Sequence, residues 1–273
     1  MAYASAGMRA KRGGMIEIEV ISLYSGSKGN STLVRSGRDA VLIDAGKSAR
    51  ALETALRSAG EDIDGISAVF ITHEHSDHVS ALRIITKNHS VPVHMTEPAA
   101  KAGGLGSVFY PAMANIHPPL YSVQVGCMNV RSFVVPHDSS VCNGFRIETE
   151  NDSVGIVTDC GRVTEDVYEN LKGCRVVVIE ANHDIRMLEE GPYDPALKAR
   201  VASPFGHLSN SSCAETVVRL AGTGTESVIL AHLSEINNAP DLAVRTVEEA
   251  LRSAGSNVRV AAASQNQITR AEV

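Results

Sequence analysis

Tryptophan is absent and aromatic residues make up only 4 % of the 273-residue chain, so stacking platforms for unpaired bases are sparse. Positive charge is also in deficit, with 25 Lys and Arg against 31 Asp and Glu and a net charge of −6. That balance excludes the broad electrostatic grip on nucleic acid of strongly basic domains. It does not exclude nucleic acid itself, because bound divalent cations add positive charge that a residue count omits. The five cysteines, Cys127, Cys142, Cys160, Cys174 and Cys213, are odd in number and form no C-x-x-C. A disulfide framework and a thiolate zinc knuckle are both excluded, and the cysteines are expected as small core residues.

No apolar run approaches the roughly 20 residues of a membrane span, and the N-terminus lacks the apolar core of a signal peptide. A cytoplasmic protein with no membrane partner is expected. No Pro/Gly/Ser-rich linker interrupts the chain after Gly14, so residues 15–273 are expected to form one domain. Met1 to Gly14 is small, basic and aperiodic; it is read as a disordered terminus or an expression remnant without a role in the fold.

The remaining sequence alternates apolar strands with amphipathic helices. Ile16–Leu23, Thr32–Arg35 and Ala40–Ile43 read as an opening meander around the small-residue loop Ser25–Ser31. Ser48 caps a helix whose apolar positions Leu52, Ala55, Leu56 and Ala59 recur at helical spacing, with Gly60 as its stop. Further strands are expected at Ile66–Ile71, Val91–Met95, Val123–Val135 (broken at Gly126), Val154–Thr158, Val176–Glu180 and Val228–Ala231. Helices are expected at Val79–Asn88, Val163–Leu171, Ser211–Ala221 and Leu242–Ala254. Two halves of this kind imply an α/β protein of two sheets packed face to face with helices outside.

Strand ends at four places meet a metal-competent residue: His73, His137, Asp159 and His232. The first opens Thr72-His73-Glu74-His75-Ser76-Asp77-His78. Alternate side chains of an extended segment point the same way, so His73 and His75 can grip one cation. Asp77 and His78, at the turn into the next helix, can reach a second. The candidate donors are imidazole nitrogens and carboxylate oxygens, which suit Zn, Mn or Fe. One structural zinc closes its shell with four ligands; seven candidates suffice for two divalent metal ions with room left for water.

These residues resemble the metallo-β-lactamase superfamily, and more narrowly its YycJ/WalJ-like branch of DNA exonuclease-like metallohydrolases. The resemblance runs from Ile18 to Ala263. It rests on Ser25–Ser31, Leu42-Ile43-Asp44-Ala45-Gly46, the histidine loop, Pro136-His137-Asp138, Thr158-Asp159-Cys160-Gly161, Glu180-Ala181-Asn182-His183-Asp184, Gly206-His207-Leu208-Ser209-Asn210 and Ala231-His232-Leu233-Ser234. It implies a four-layer αββα sandwich of the metallo-β-lactamase type. It further implies that His73, His75 and His137 hold one metal, that Asp77, His78 and His232 hold the other, and that Asp159 bridges them. The branch implies a 5′ to 3′ DNA exonuclease, with manganese as activating ion.

Two cations sharing a water lower its pKa toward neutrality and neutralise phosphoryl oxygens in the transition state. Asp77 is counted among the catalytic residues as well as the ligands. His207 is the candidate proton donor to the leaving oxygen, since its segment resembles the one carrying a non-ligating histidine in tRNA-processing relatives; His183 competes for that role. A helix-entry residue held by local hydrogen bonds is the other reading of His207. Asp44 either accepts an N–H from the histidine loop and orients it or caps the helix at Ser48. Ser27, Lys28 and Asn30 either cradle phosphate or simply meet the needs of a tight turn.

Only 72 residues separate Asp159 from His232, too few for the added domains of the large RNA-processing relatives. DNA is the expected partner, with RNA and small thioesters or phosphodiesters as alternatives. Oligomeric state is left open.

Overall fold

The computed structural model describes residues 18–102 and 113–271. The N-terminal segment Met1 to Gly14, read as a disordered terminus or remnant, lies outside the described residues. The first sheet takes β1 (Ile18–Tyr24), β2 (Ser31–Ser36), β3 (Asp39–Ile43), β4 (Ala68–Phe70), β5 (Val93–Thr96) and β6 (Ala114–His117) in chain order. The second takes β7 (Ser122–Val125), β8 (Met128–Val135), β9 (Cys142–Glu148), β10 (Ser153–Val157), β11 (Val176–Glu180), β12 (Ser227–Ala231) and β13 (Arg259–Ala262) in the same manner. A closing strand, β14 (Thr269–Arg270), returns to pair antiparallel with β1. Each sheet opens as an antiparallel meander and continues parallel, at β3 to β6 and at β10 to β13.

Period-two burial builds the layers. In β3, Val41 and Ile43 face the space between the sheets while Ala40 and Leu42 face outward to helices. In β11, Val176 and Val178 face inward while Val177 and Ile179 face the other helical layer. Strands buried on both faces read as continuous apolar runs, and that is how β4, β11 and β12 appear in the sequence. The expected four-layer αββα sandwich is what results.

Helix α1 (Ala49–Ala59) follows its sequence signals: Ser48 accepts from Ala51 N, and Gly60 ends the helix at φ 82°. Leu52 and Leu56 are fully buried against the first sheet, each worth about 1.5–3 kcal/mol. The single helix expected at Val79–Asn88 is instead two, α2 (Ser76–Val79) and α3 (Leu82–Asn88). Tertiary hydrogen bonds cause the break. Asp77 O accepts from Asn30 N and Ala81 N donates to Ala45 O, so neither serves the helical ladder.

Strand β9 escaped the sequence reading because Asn143 and Gly144 interrupt its apolar pattern. A Cβ at Gly144 would lie 2.3 Å from the Phe133 ring, so the close packing of β8 on β9 requires the glycine. Short helices α4 (Glu97–Ala102), α5 (Glu165–Leu171), α6 (Ile185–Glu190) and α7 (Pro195–Val201) precede the long α8 (Asn210–Ala221) and α9 (Pro240–Ser253). The sequence reading also missed α6 and α7, although Asp184 and Asp194 cap them. Cys127 departs from the expected core cysteines: it is exposed at the turn joining β7 to β8, where its N–H donates to Asp39.

Candidate metal centre

The site sits where strands of both sheets end. Asp44, Asp159 and His232 follow β3, β10 and β12, and all three adopt positive φ (66°, 54° and 54°), a left-handed conformation uncommon outside glycine. Such strained residues persist where surrounding bonds over-determine them. Gly46 lets the β3 end approach the histidine loop, since a Cβ there would lie 1.9 Å from Asp77 O. Ala45 N donates to His78 O at 2.8 Å and Asn30 N to Asp77 O at 2.8 Å, fastening the loop from beneath.

Two groups of donors face each other. The rings of His73, His75 and His137 lie 4.4–5.3 Å apart, and their nitrogens form one compact group; Asp77, His78 and His232 form a second. The Asp159 carboxylate reaches both, 3.6 Å from His137 Nε2, 3.1 Å from His78 Nε2 and 3.6 Å from His232 Nε2.

His73, His137 and His232 each bury an Nε2 with no hydrogen-bond partner, and Asp159 Oδ2 is likewise without one. Its approach to His78 is close in distance but lacks hydrogen-bond geometry. Buried polar groups are nearly always satisfied, and convergent imidazole and carboxylate donors left open are what a divalent cation takes. The residues therefore fit divalent metal ions, and their chemistry suits Zn, Mn or Fe alike.

The opposite ring nitrogens are held from behind. His78 Nδ1 lies 2.7 Å from Asp44 Oδ2, His232 Nδ1 lies 2.8 Å from Glu180 Oε1, and His137 Nδ1 lies 3.2 Å from Gly206 O. A carboxylate or carbonyl oxygen can only accept here, so Nδ1 carries the hydrogen and Nε2 points its lone pair inward. Asp44 also accepts from Thr72 N and Thr72 Oγ1, whereas Ser48 caps α1 by itself.

Burial opposes charge on His232, but Asp159, Asp77 and Glu180 outweigh it and push its pKa up to about 10. His78 is raised in the same way by Asp44 and Asp159 against burial. Burial, reinforced by His78, holds His73 well below the usual histidine range, and burial likewise lowers His137. A cation held at these Nε2 atoms would compete with the proton there.

Glu180 is the functional residue that sequence reasoning left without a role. It is fully buried at the end of β11. Oε1 receives both His207 Nδ1 and His232 Nδ1 at 2.8 Å, while Oε2 accepts from Cys160 N at 2.7 Å and Leu208 N at 3.1 Å. Both Glu180 oxygens are engaged in this way, so the carboxylate holds His207 and His232 from behind, although it also stands in a cluster of possible donors with Asp159, His207 and His232. The signal was present: a lone carboxylate closing the apolar run Val176 to Ile179.

The other candidates divide. His207 lines a cavity together with His232; burial opposes its charge, and Glu180 raises its pKa nonetheless. His183 is buried with Nδ1 unpartnered, its backbone paired to Ser209, and it belongs to neither donor group nor to that cavity wall. Ser27 lines the cavity. Lys28 is ion-paired 2.8 Å from Glu235. Asn30 is buried, accepting from Gly26 N and donating to Gly26 O and, at 3.2 Å, to Asp77 Oδ2, so its amide braces the small-residue loop and Asp77 of the histidine loop together.

A four-layer αββα sandwich with histidines and carboxylates converging at its strand ends defines a metallohydrolase of the metallo-β-lactamase fold. The chain belongs to the β-lactamase superfamily: the family described as "Beta-lactamase superfamily domain" matches residues 39–233. Within it the chain falls in the YycJ/WalJ branch. It is 32 % identical over 239 residues to "Exodeoxyribonuclease YycJ" of Bacillus anthracis, covering 86 % of this chain and 90 % of that protein. It is 31 % identical over 242 residues to "Exodeoxyribonuclease WalJ" of Streptococcus pneumoniae serotype 2, covering 87 % and 90 %. Among solved structures, the metallo-β-lactamase fold protein YhfI from Bacillus subtilis superposes with a TM-score of 0.70 at 15 % identity, covering 93 % of this chain and 98 % of that one, a likeness of fold. No helix among the described residues is long and apolar enough to cross a membrane.

Proposed function

We propose that the protein is a two-metal phosphodiesterase, a cytoplasmic 5′ to 3′ DNA exonuclease with manganese as its activating ion. The observation that carries the reading is Asp159, whose carboxylate lies between the donor group His73, His75 and His137 and the group Asp77, His78 and His232. The two relatives named as exodeoxyribonucleases, each matched over most of its length, support DNA as substrate.

When bound, two divalent cations supply Lewis-acid neutralisation of phosphoryl oxygens and a water acidified toward neutral pH. The chain's own residues do the rest. Asp44 and Glu180 fix the ligand tautomers by holding Nδ1 of His78 and His232. Water attacks phosphorus, the P–O3′ bond breaks, and the O3′ alkoxide takes a proton from His207 Nε2. His207 Nδ1 meanwhile stays on Glu180, which favours the protonated ring needed for that transfer. Asp77 receives the proton that the attacking water gives up. The shortened strand keeps a 5′-phosphate and the released unit carries a 3′-hydroxyl. His183, outside the cavity wall, has no part in these steps.

The test is a manganese-dependent assay on single-stranded and duplex DNA beside a thioester and bis-p-nitrophenyl phosphate. Degradation of DNA from its 5′ end is expected. Turnover of the small esters alone would replace the nuclease reading with that of a small-molecule hydrolase.

A further inference from the structure

The two donor groups are braced in different ways. In the second, carboxylates stand behind the rings: Asp44 holds His78 Nδ1 and Glu180 holds His232 Nδ1. In the first, none does. His73 Nδ1 meets the Thr72 hydroxyl at 3.0 Å and the Cys142 thiol at 3.8 Å, and His137 Nδ1 meets the Gly206 carbonyl. Among the described residues no hydrogen bond reaches either ring nitrogen of His75. Its ring packs edge-on against His73 at 4.4 Å and His137 at 5.3 Å, which are donors of the same group. The direction of the His75 ring is therefore set through its own backbone.

That backbone is tied down at Glu74. Ser140 N donates to Glu74 Oε1 at 2.9 Å and Ser140 Oγ to Glu74 Oε2 at 2.9 Å, a two-pronged grip on one residue. Glu74 stands between His73 and His75, while Ser140 lies in the segment that follows His137. Glu74 itself belongs to neither donor group. Nearer the roots of the two segments, Asn143 N donates to Thr72 O at 3.0 Å. Among the described residues the Glu74 grip supplies the only hydrogen bonds that join residues 73–78 to residues 136–141.

We propose that Glu74 is a positioning residue for the first metal. By clasping Ser140 it sets how far His73 and His75 stand from His137, and so governs occupancy of that position while the second depends on Asp44 and Glu180. This rests on the two-metal reading and deepens it. Groups that orient metal ligands are worth about 10- to 100-fold in affinity. The Glu74 grip acts through the backbone and is open to solvent, where charged contacts are weakest, so the lower end of that range applies. The grip also fixes what can replace it. A glutamine offers its amide oxygen to Ser140 N–H and its amide N–H to Ser140 Oγ, keeping both bonds without the charge, whereas alanine keeps neither.

Equilibrium dialysis of the metal-free protein against manganese counts the bound ions and their affinities without turnover. The wild type should take up two ions per chain. Glu74→Ala should weaken one of them about 10-fold and spare the other, Glu74→Gln should restore the wild-type behaviour, and Ser140→Ala, which retains the backbone donor, should fall between. The manganese concentration for half-maximal DNA cleavage should rise with the weakened ion. In His75→Ala, where the second group alone remains complete, adding Glu74→Ala should change nothing further.

Full affinity for both ions in Glu74→Ala, equal weakening of both, a Glu74→Gln protein as weak as Glu74→Ala, or a further loss in the His75→Ala background overturns the assignment while leaving the two-metal centre intact. A wild-type protein that takes up a single ion overturns both.

Discussion

At the metal centre, Nδ1 of His78 and His232 rest on the carboxylates of Asp44 and Glu180 at 2.7 and 2.8 Å. Between the sheets a second histidine pair is built differently: His94 Nδ1 meets His117 Nε2 at 3.0 Å, imidazole on imidazole. That pair is clasped by aromatic rings, Phe70 stacking 4.7 Å from His94 and Tyr121 4.2 Å from His117. The contrast shows what turns histidines into a site. Carboxylates behind the ring fix the tautomer, add negative charge and turn Nε2 toward the Asp159 carboxylate; aromatic neighbours supply packing and disfavour charge.

The sharpest way to break this comparison is to exchange roles. His73→Ala should lose metal and abolish nuclease turnover, while His94→Leu keeps both, as read by metal analysis beside the DNA assay. A His73→Ala protein with its full metal complement would erase the distinction. His207→Ala is expected to retain metal and lose about 10²- to 10⁴-fold in kcat, the usual range for a positioned acid; an unchanged kcat would remove His207 from the mechanism.

The stacked pair should show itself in acid instead. Burial, and then His117, push the pKa of His94 down to about 4 from an ordinary value of 6.5. Its folded-state pKa lies below the unfolded one, so stability is intact above pH 6.5 and declines as pH falls toward 4, by at most about 3 kcal/mol. Denaturant unfolding across that window should reveal the loss, and His94→Leu should flatten it; equal slopes in both proteins would count against a neutral buried His94. The mildest expected effect is that of Glu180→Gln, about 10- to 100-fold in metal affinity or activity. The amide keeps the size of the carboxylate but not the charge that two Nδ1–H groups share. A variant indistinguishable from wild type in both measures would leave Glu180 a merely structural acid.

Much of the architecture was legible because its causes are local. Period-two burial marked the strands of both sheets, and Ser48 with Gly60 bounded α1. The misreadings have long-range causes. The break between α2 and α3 comes from Ala45 and Asn30 claiming Ala81 N and Asp77 O. Strand β9 needs Gly144 under Phe133, and Cys127 is drawn to the turn by Asp39.

At the site, the sequence by itself determined the donor chemistry and the local grouping of the histidine loop, because four candidate donors, His73, His75, Asp77 and His78, stand within six consecutive residues and their directions follow from the backbone. Only the tertiary structure decided which of those donors face one another across Asp159, and which groups Glu180 holds. A carboxylate can be a ligand, a cap or a brace according to which atoms lie within hydrogen-bond reach, and for Glu180 those atoms include His232, 52 positions away in the chain.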